Sequence, residues 1–477
     1  MTSMFMVAIE ATIIATAMPQ IVADLGGLAL YSWVFSSFLL AQTAMTVVFG
    51  NLADIYGRKP VMLVGIAIFL VGSTLAGFAT TMPTMILDRV IQGAGAGAIQ
   101  TVALTVVADL YPARERGKIQ GYLASVWAIS AVLGPIVGSL IVRQWSWAWV
   151  FWINIPVGIL AAAGFIAFLQ ETKRHEGRSI DLAGAACFTI AVTALLIALT
   201  EIGSAAPATL AGIGAVFCAA ALGFVLQERR TAHPMISFAM WSLRPVAATN
   251  GVAVLSSMAL MGLTTFVPIY VQLVLRRPPV VAGLALTTML VGWPIGATLA
   301  ARSFHRFALR RILITGTVLL PVGATMFVVL TPASSPGLAG LGSLIMGFGM
   351  GLSSVSSLVL IQEVVEPHQR GSVTASTLFA RNIGSTMGAT VLAAVLNHGL
   401  AHALAGNQIT AEQLRQMLNT LPSVVSQEAA IRLGLQHALN LTFWAMLGLS
   451  LATVVISLWI PSVGIARADA VPAQTSH

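Results

Sequence analysis

The chain has 477 residues, 57% hydrophobic and only 8% charged, with a mean hydropathy of +0.90. Soluble globular chains carry ~25% charged residues, so a string of roughly three water-solvated domains of about 150 residues is excluded and lipid must solvate most of the surface. The formal net charge of +8, from 24 Lys and Arg against 16 Asp and Glu, sits in short clusters between apolar runs, which is the pattern of membrane topology and not of a nucleic-acid-binding groove.

A hydrocarbon core of ~30 Å needs ~20 helical residues. Fourteen runs meet that length: 4–23, 31–52, 61–79, 84–107, 119–142, 148–170, 181–200, 207–226, 246–273, 281–301, 311–331, 336–361, 373–397 and 437–460. Barrel strands would be half as long and would alternate in polarity, so the fold class is all-α integral membrane. The first run has no basic leader and is followed by many others, so it reads as a retained helix and not a signal peptide.

The connections alternate in charge. One side carries Arg58 and Lys59, then Arg114, Arg116 and Lys118, then Lys173, Arg174 and Arg178, and continues through Arg229, Arg230, Arg244, Arg302, Arg306, Arg310, Arg311, Arg370 and Arg467. The other side carries Arg143, Arg276, Arg277, Arg415 and Arg432. The positive-inside rule places the rich side and both termini in the cytoplasm. The longest connection on the poor side runs from about His398 to Gln436, where Thr410 followed by Gln413 fits a capping box; a short surface helix and a plain spacer are both compatible with it. Cys187 and Cys218 lie inside apolar runs, which excludes a disulfide framework.

Displaced by 254 residues, the sequence matches itself without gaps. Gly93, Gly95 and Gly97 fall on Gly347, Gly349 and Gly351, Asp109 on Glu363, Arg116-Gly117 on Arg370-Gly371, and Gly134 on Gly388. The match pairs span 4 with 12 and span 5 with 13 in one orientation. That predicts two six-helix halves related by an axis along the membrane normal, a transporter architecture, with spans 7 and 8 inserted between them.

Span 1 holds Ile9-Glu10-Ala11-Thr12 and later Met18-Pro19. An acid inside a membrane is functional by default. Glu10 can carry a coupling proton and, when anionic, attract a cationic substrate to the same site; the alternative is a structural acid paired permanently with Arg381 or another base. The loop after span 2 reads Gly50-Asn51-Leu52-Ala53-Asp54-Ile55-Tyr56-Gly57-Arg58-Lys59-Pro60. In span 4, Arg89 and Gln92 share a helix face, and an intramembrane Arg must find a cavity or a partner. The adjacent Gly93-Ala94-Gly95-Ala96-Gly97 lacks the strand and spacing of a nucleotide loop and suits close helix packing. Span 5 holds Gly134-Pro135 and Gly138, span 6 opens Trp147-Ala148-Trp149-Val150-Phe151-Trp152-Ile153-Asn154-Ile155-Pro156, and span 13 holds Arg381-Asn382-Ile383-Gly384. Asp109 and Glu363 end equivalent helices and are expected to form gate ion pairs with Arg116 and Arg370. Neither His-Glu-x-x-His nor Gly-x-Ser-x-Gly occurs in a span, so an enzyme is not expected.

These strings together resemble the major facilitator superfamily, and within it the fourteen-helix drug:proton antiporter group. Two departures are conservative: Glu10 stands where the group usually has Asp, and Ser139 where a second glycine is common. The resemblance implies a major facilitator fold of two six-helix bundles plus two extra helices. The expected layout is an N-terminal bundle at 1–172, inserted helices at 173–232, a C-terminal bundle at 233–465 with the external connection near 398–436, and a cytoplasmic tail at 466–477.

The resemblance also implies roles. Glu10, Arg89 and Arg381 would serve proton coupling. Gly50, Asp54, Gly57, Arg58 and Lys59 would latch the halves on the cytoplasmic side, with Asp109, Arg116, Glu363 and Arg370 beside them. Gly134, Pro135 and Gly138 would mark an antiporter. By analogy with the family, the substrate cavity would draw on Glu10, Gln42, Gln92, Trp127, Asn250, Phe266, Tyr270, Gln272, Met289, Trp293 and Asn382. The implied function is proton-coupled export of amphipathic, cationic compounds by alternating access, from a monomer in a bacterial inner membrane that needs no metal or cofactor. Its alternative is dedicated export of a lipid, siderophore or other natural product.

Overall fold

A computed structural model describes the chain except residues 27–29, 171–180, 202–205, 232–240, 305, 367–368, 405–424 and 462–477. The Thr410–Gln413 capping box, the tail at 466–477, and Lys173, Arg174, Arg178, Arg415 and Arg467 lie outside the described residues.

Each of the fourteen apolar runs forms a helix. The first half contains α1 (Thr2–Leu25), α2 (Tyr31–Tyr56), α3 (Arg58–Gly77), α4 (Met82–Leu110), α5 (Ala113–Gln144) and α6 (Trp149–Phe168). Then come α7 (Leu182–Glu201) and α8 (Pro207–Arg230). The second half contains α9 (Arg244–Ile269), α10 (Pro279–Ser303), α11 (Leu309–Val328), α12 (Pro336–Val364), α13 (Arg370–Leu404) and α14 (Val425–Leu458). Among the described residues, eleven helices are long and apolar enough to cross a membrane, twelve with the bent α1; α7 offers a shorter apolar stretch, Ala183–Leu199. No strand is present among the described residues.

Departures from straight helix have local causes. In α1, Thr2–Ile14 and Thr16–Leu25 meet at 44°, where Thr12 and Thr16 donate to the carbonyls of Ile9 (3.0 Å) and Ile13 (2.7 Å); such back-bonding bends helices. A π-helical turn, Tyr270–Val274, follows Pro268 at the end of α9, as expected where proline removes a backbone donor. Gly57 joins α2 to α3 with φ of 94°, a conformation that favours glycine.

The repeat is structural. Shifted by 254 residues, the ends of α4 coincide with the ends of α12. A methyl group on Gly93 or Gly97 would strike the α2 backbone at Phe38 or Gln42, and one on Gly95 would strike α3 at Phe69. Gly347 and Gly351 meet α10 at Met289 and Trp293 in the same way, and Gly349 meets α11 at Gly316. The three glycines thus press one helix against the same two neighbours in each half, where backbone contact replaces side-chain packing.

The halves touch mainly through α2 on α13 and α5 on α10. One apolar core spans both halves at the end where α4 turns into α5 and α12 into α13, joining Met4 and Leu123 with Leu358 and Leu378. At the opposite end each half keeps its own core, Ile13, Met18 and Phe151 in one and Phe266, Phe327 and Phe443 in the other. α7 packs on α8, α2 and α13, and few residues of α8, Phe224 and Glu228 among them, are buried. Large apolar side chains such as Leu160, Phe168 and Val455 face outward, which only a lipid solvent permits over so much surface.

Candidate functional site

Three polar features interrupt this apolar scaffold. The first is a cluster of ion pairs and hydrogen bonds at the shared-core end. Gly50 and Gly371 let α2 and α13 cross closely: a methyl on Gly50 would meet Ala375 Cβ at 2.5 Å. That approach brings the Asp54 carboxylate to the start of α13. It accepts from the backbone N–H of Gly371 (3.0 Å) and Ser372 (2.8 Å) and from Ser372 Oγ (2.9 Å), and pairs with Arg58 at 2.8 Å. An anion at a helix N-terminus satisfies amides that have no intrahelical partner.

Beside it the ion pairs run crosswise. Arg116 of the first half meets Glu363 of the second at 2.6 Å, and Arg370 of the second meets Asp109 of the first at 3.4 Å. Arg58 adds a 2.9 Å bond to Asp109 and one to the carbonyl of Ala53. Burial, then the neighbouring Arg370, pulls the Arg116 guanidinium down from its ordinary value, while Glu363 and Asp109 push it back; it stays protonated. Lys59 instead donates to the Ile166 carbonyl at the end of α6 (2.8 Å), a contact inside the first half.

The second feature is a charge nest sealed inside the first half. Glu10 and Arg89 are 0% and 1% exposed. Arg89 donates to Glu10 Oε1 (2.5 Å), Gln92 Oε1 (2.5 Å) and the Val34 carbonyl (3.2 Å), and its guanidinium lies 4.2 Å from the Phe38 ring centroid. Asn154 Nδ2 donates to Glu10 Oε2 at 2.7 Å, and Gln92 Nε2 donates to Ser73 Oγ at 2.7 Å. Here α1, α2, α3, α4 and α6 meet. Both carboxylate oxygens of Glu10, and Nε and Nη1 of Arg89, have partners, without which burial would cost several kcal/mol.

The third feature is a cavity of about 460 Å³ between the halves, walled by α1, α4, α5, α9, α10, α12 and α13. Trp127, Met289, Trp293 and Asn382 line it, and so does Arg381, whose guanidinium lies 5.4 Å from the Trp293 ring centroid.

The structure redistributes several residues expected in that cavity. Glu10 and Gln92 belong to the closed nest, because α1 presents Met4 and Thr12 to the cavity and turns Glu10 toward α4. The partner of Glu10 is accordingly Arg89 and not Arg381. Gln42 is turned to Gln100 (2.9 Å), and Asn250 is held by Ser376 (3.1 Å) and Thr377 (3.0 Å), so neither is on the cavity wall. Phe266 and Tyr270 sit in the second half's own core, and Gln272 lies in the π turn beyond it. A proton and a cation competing at one Glu10 site is therefore not the geometry found. Gly134 and Gly138 receive Thr12 and Thr16 of α1, with Pro135 in the same helix between them.

Sequence reasoning missed Asn154, Ser73 and Ser372. Asn154 was visible as a polar residue amid the tryptophans of span 6, but its partner lies 144 positions away. Ser73 and Ser372 carry no local mark.

The chain matches the family model described as Major Facilitator Superfamily over residues 1–389. It is 34% identical over 394 residues to Multidrug resistance protein 3 of Bacillus subtilis, covering 82% of this chain and 77% of that protein. It is 32% identical over 431 residues to the multidrug transporter protein MdtP of Bacillus subtilis, covering 90% and 79%. The crystal structure of the human organic anion transporter MFSD10 superposes with a TM-score of 0.67 at 15% identity, over 96% of this chain and 97% of that one, a likeness of fold alone.

Proposed function

The chain belongs to the major facilitator superfamily, and on that premise we propose that it is a proton-coupled antiporter that exports amphipathic drugs or toxic compounds by alternating access. It is a multi-pass membrane transporter of small molecules and not an enzyme. In our reading it works as a monomer in a bacterial inner membrane, with both termini in the cytoplasm, bundles at 1–172 and 233–465, and helices inserted at 173–232.

One observation carries the proton role: a carboxylate closed off from solvent, paired with a guanidinium, on the helix that also faces the cavity. Proton uptake would neutralise Glu10 and release it from Arg89. Arg89 would keep Gln92, the Val34 carbonyl and the Phe38 ring, so α1 would be loosened while α4 stayed in place. α1 packs on α5 at Gly134 and Gly138, and α5 packs on α10 across the interface. A change at Glu10 thereby reaches the contact about which the halves rock. Coupling of this kind needs only that Glu10 hold its proton differently in the two conformations. The Asp54 cluster, as a latch, favours the conformation closed at the basic end.

The test is purified protein in liposomes with an imposed pH gradient and a panel of fluorescent amphiphiles. Efflux should follow the gradient and stop when it collapses. Efflux indifferent to the gradient, or sustained by ATP alone, would overturn the reading.

A further inference from the structure

Resting on the transport reading above, we infer that the central cavity selects amphiphiles bearing a carboxylate or similar anionic acceptor, received by Arg381, and disfavours cations. The charge around the cavity is one-sided. Among the described residues its wall holds one cation, Arg381, and no Asp, Glu or Lys. Arg381 forms no ion pair among them; its guanidinium lies over the Trp293 ring. The acid on α1, Glu10, is engaged by Arg89 and Asn154 inside the first half and is not on the cavity wall.

Two further donors point the same way. Gln120 and Ser357 both line the cavity, at 7% and 4% exposure, and Gln120 Nε2 and Ser357 Oγ have no hydrogen-bond partner. Buried donors without acceptors are rare, and these belong to opposite halves. A ligand carrying acceptor oxygens can receive from the Arg381 N–H groups, whereas an ammonium ligand meets Arg381 with like charge. The wall also carries uncharged polar side chains, among them Gln100, Ser353 and Asn382, and an apolar part with Trp127, Leu260 and Met289 suited to a greasy body. A guanidinium beside an aromatic face is a recurrent receptor for carboxylates because it presents paired N–H groups in one plane.

The experiment uses the full-length protein in nanodiscs of zwitterionic lipid, with empty nanodiscs subtracted. Binding is read as excitation transfer from its tryptophans to three probes sharing one body: 11-(dansylamino)undecanoic acid, its methyl ester, and the matching dansylated primary amine. The acid should bind ~10-fold or more tightly than the ester, as expected for a charge-assisted bond, and the amine weakest. Arg381→Gln should remove the acid's advantage, so that acid and ester bind with similar affinity. If that variant does not fold, Arg381→Lys decides: a kept acid preference supports the inference, and a lost one with the ester still bound overturns it. An amine bound as tightly as the acid, or an acid preference that survives Arg381→Gln, also overturns it. Binding needs no gradient, so the two readings fail separately. Acid preference without pH-driven efflux removes the transport mechanism alone. pH-driven efflux of the amine without acid preference removes this inference alone.

Discussion

Replacing Glu10 with Gln changes one charge and almost no volume, which makes it the sharpest probe of the nest. Arg89 would remain charged at 1% exposure with its counter-charge gone. Breaking a buried pair from one side costs about 3–5 kcal/mol. Gln92, the Val34 carbonyl and the Phe38 ring still hold Arg89, and Gln can keep one bond to Asn154, so the loss should lie near the lower end. The double variant Glu10→Gln/Arg89→Gln removes both charges and should recover most of it, with a coupling of at least ~2 kcal/mol in the cycle. Denaturant unfolding of the four proteins in one detergent, followed by tryptophan fluorescence, measures this. In liposomes Glu10→Gln should insert normally and lose pH-driven efflux. Wild-type pH-driven efflux in Glu10→Gln would refute the proton role. Strictly additive stability losses would refute the pair itself.

The repeat predicts matched damage: Gly93→Ala and Gly347→Ala place a methyl against the carbonyls of Phe38 and Met289 and should each lower stability by about 1–3 kcal/mol in the same unfolding assay. Asp54→Asn weakens three bonds to α13 and its pair with Arg58; a cysteine placed at Leu104 in a background lacking Cys187 and Cys218 should then react faster with a thiol reagent added from the latch side. Unchanged reactivity would show that the carboxylate does not hold the halves. Arg116→Glu and Glu363→Arg should each impair transport alone and restore part of it together, since the pair spans the halves at 2.6 Å; absence of rescue in an efflux assay would assign the two residues separate roles.

Much of the polar cluster at the α2–α3 turn was readable in advance because it is local. Gly50, Asp54, Gly57 and Arg58 lie within nine positions, and the turn geometry is set by Gly57 itself. The pairing partners were readable only in kind. Repeat symmetry placed acid and Arg-Gly at equivalent helix ends, but whether they pair within a half or across halves depends on how the bundles meet. The two described pairs between the halves are Arg116–Glu363 and Arg370–Asp109.

Hydropathy and loop charge alone determined a lipid-solvated, all-helical chain, since each run had to satisfy its own backbone hydrogen bonds in hydrocarbon, and the 254-residue self-match alone determined two like halves. Side-chain direction was decided only by tertiary structure. A helix shows different faces to its bundle and to the cavity, so whether Glu10 or Thr12 looked inward depended on rotations of about 100° per residue that composition does not fix. The folded arrangement gave Glu10 to Arg89 and Asn154 and, among the described residues, left the cavity wall with Arg381 as its one charged side chain, because α1, α2, α4 and α6 enclose the Glu10–Arg89 pair within one half.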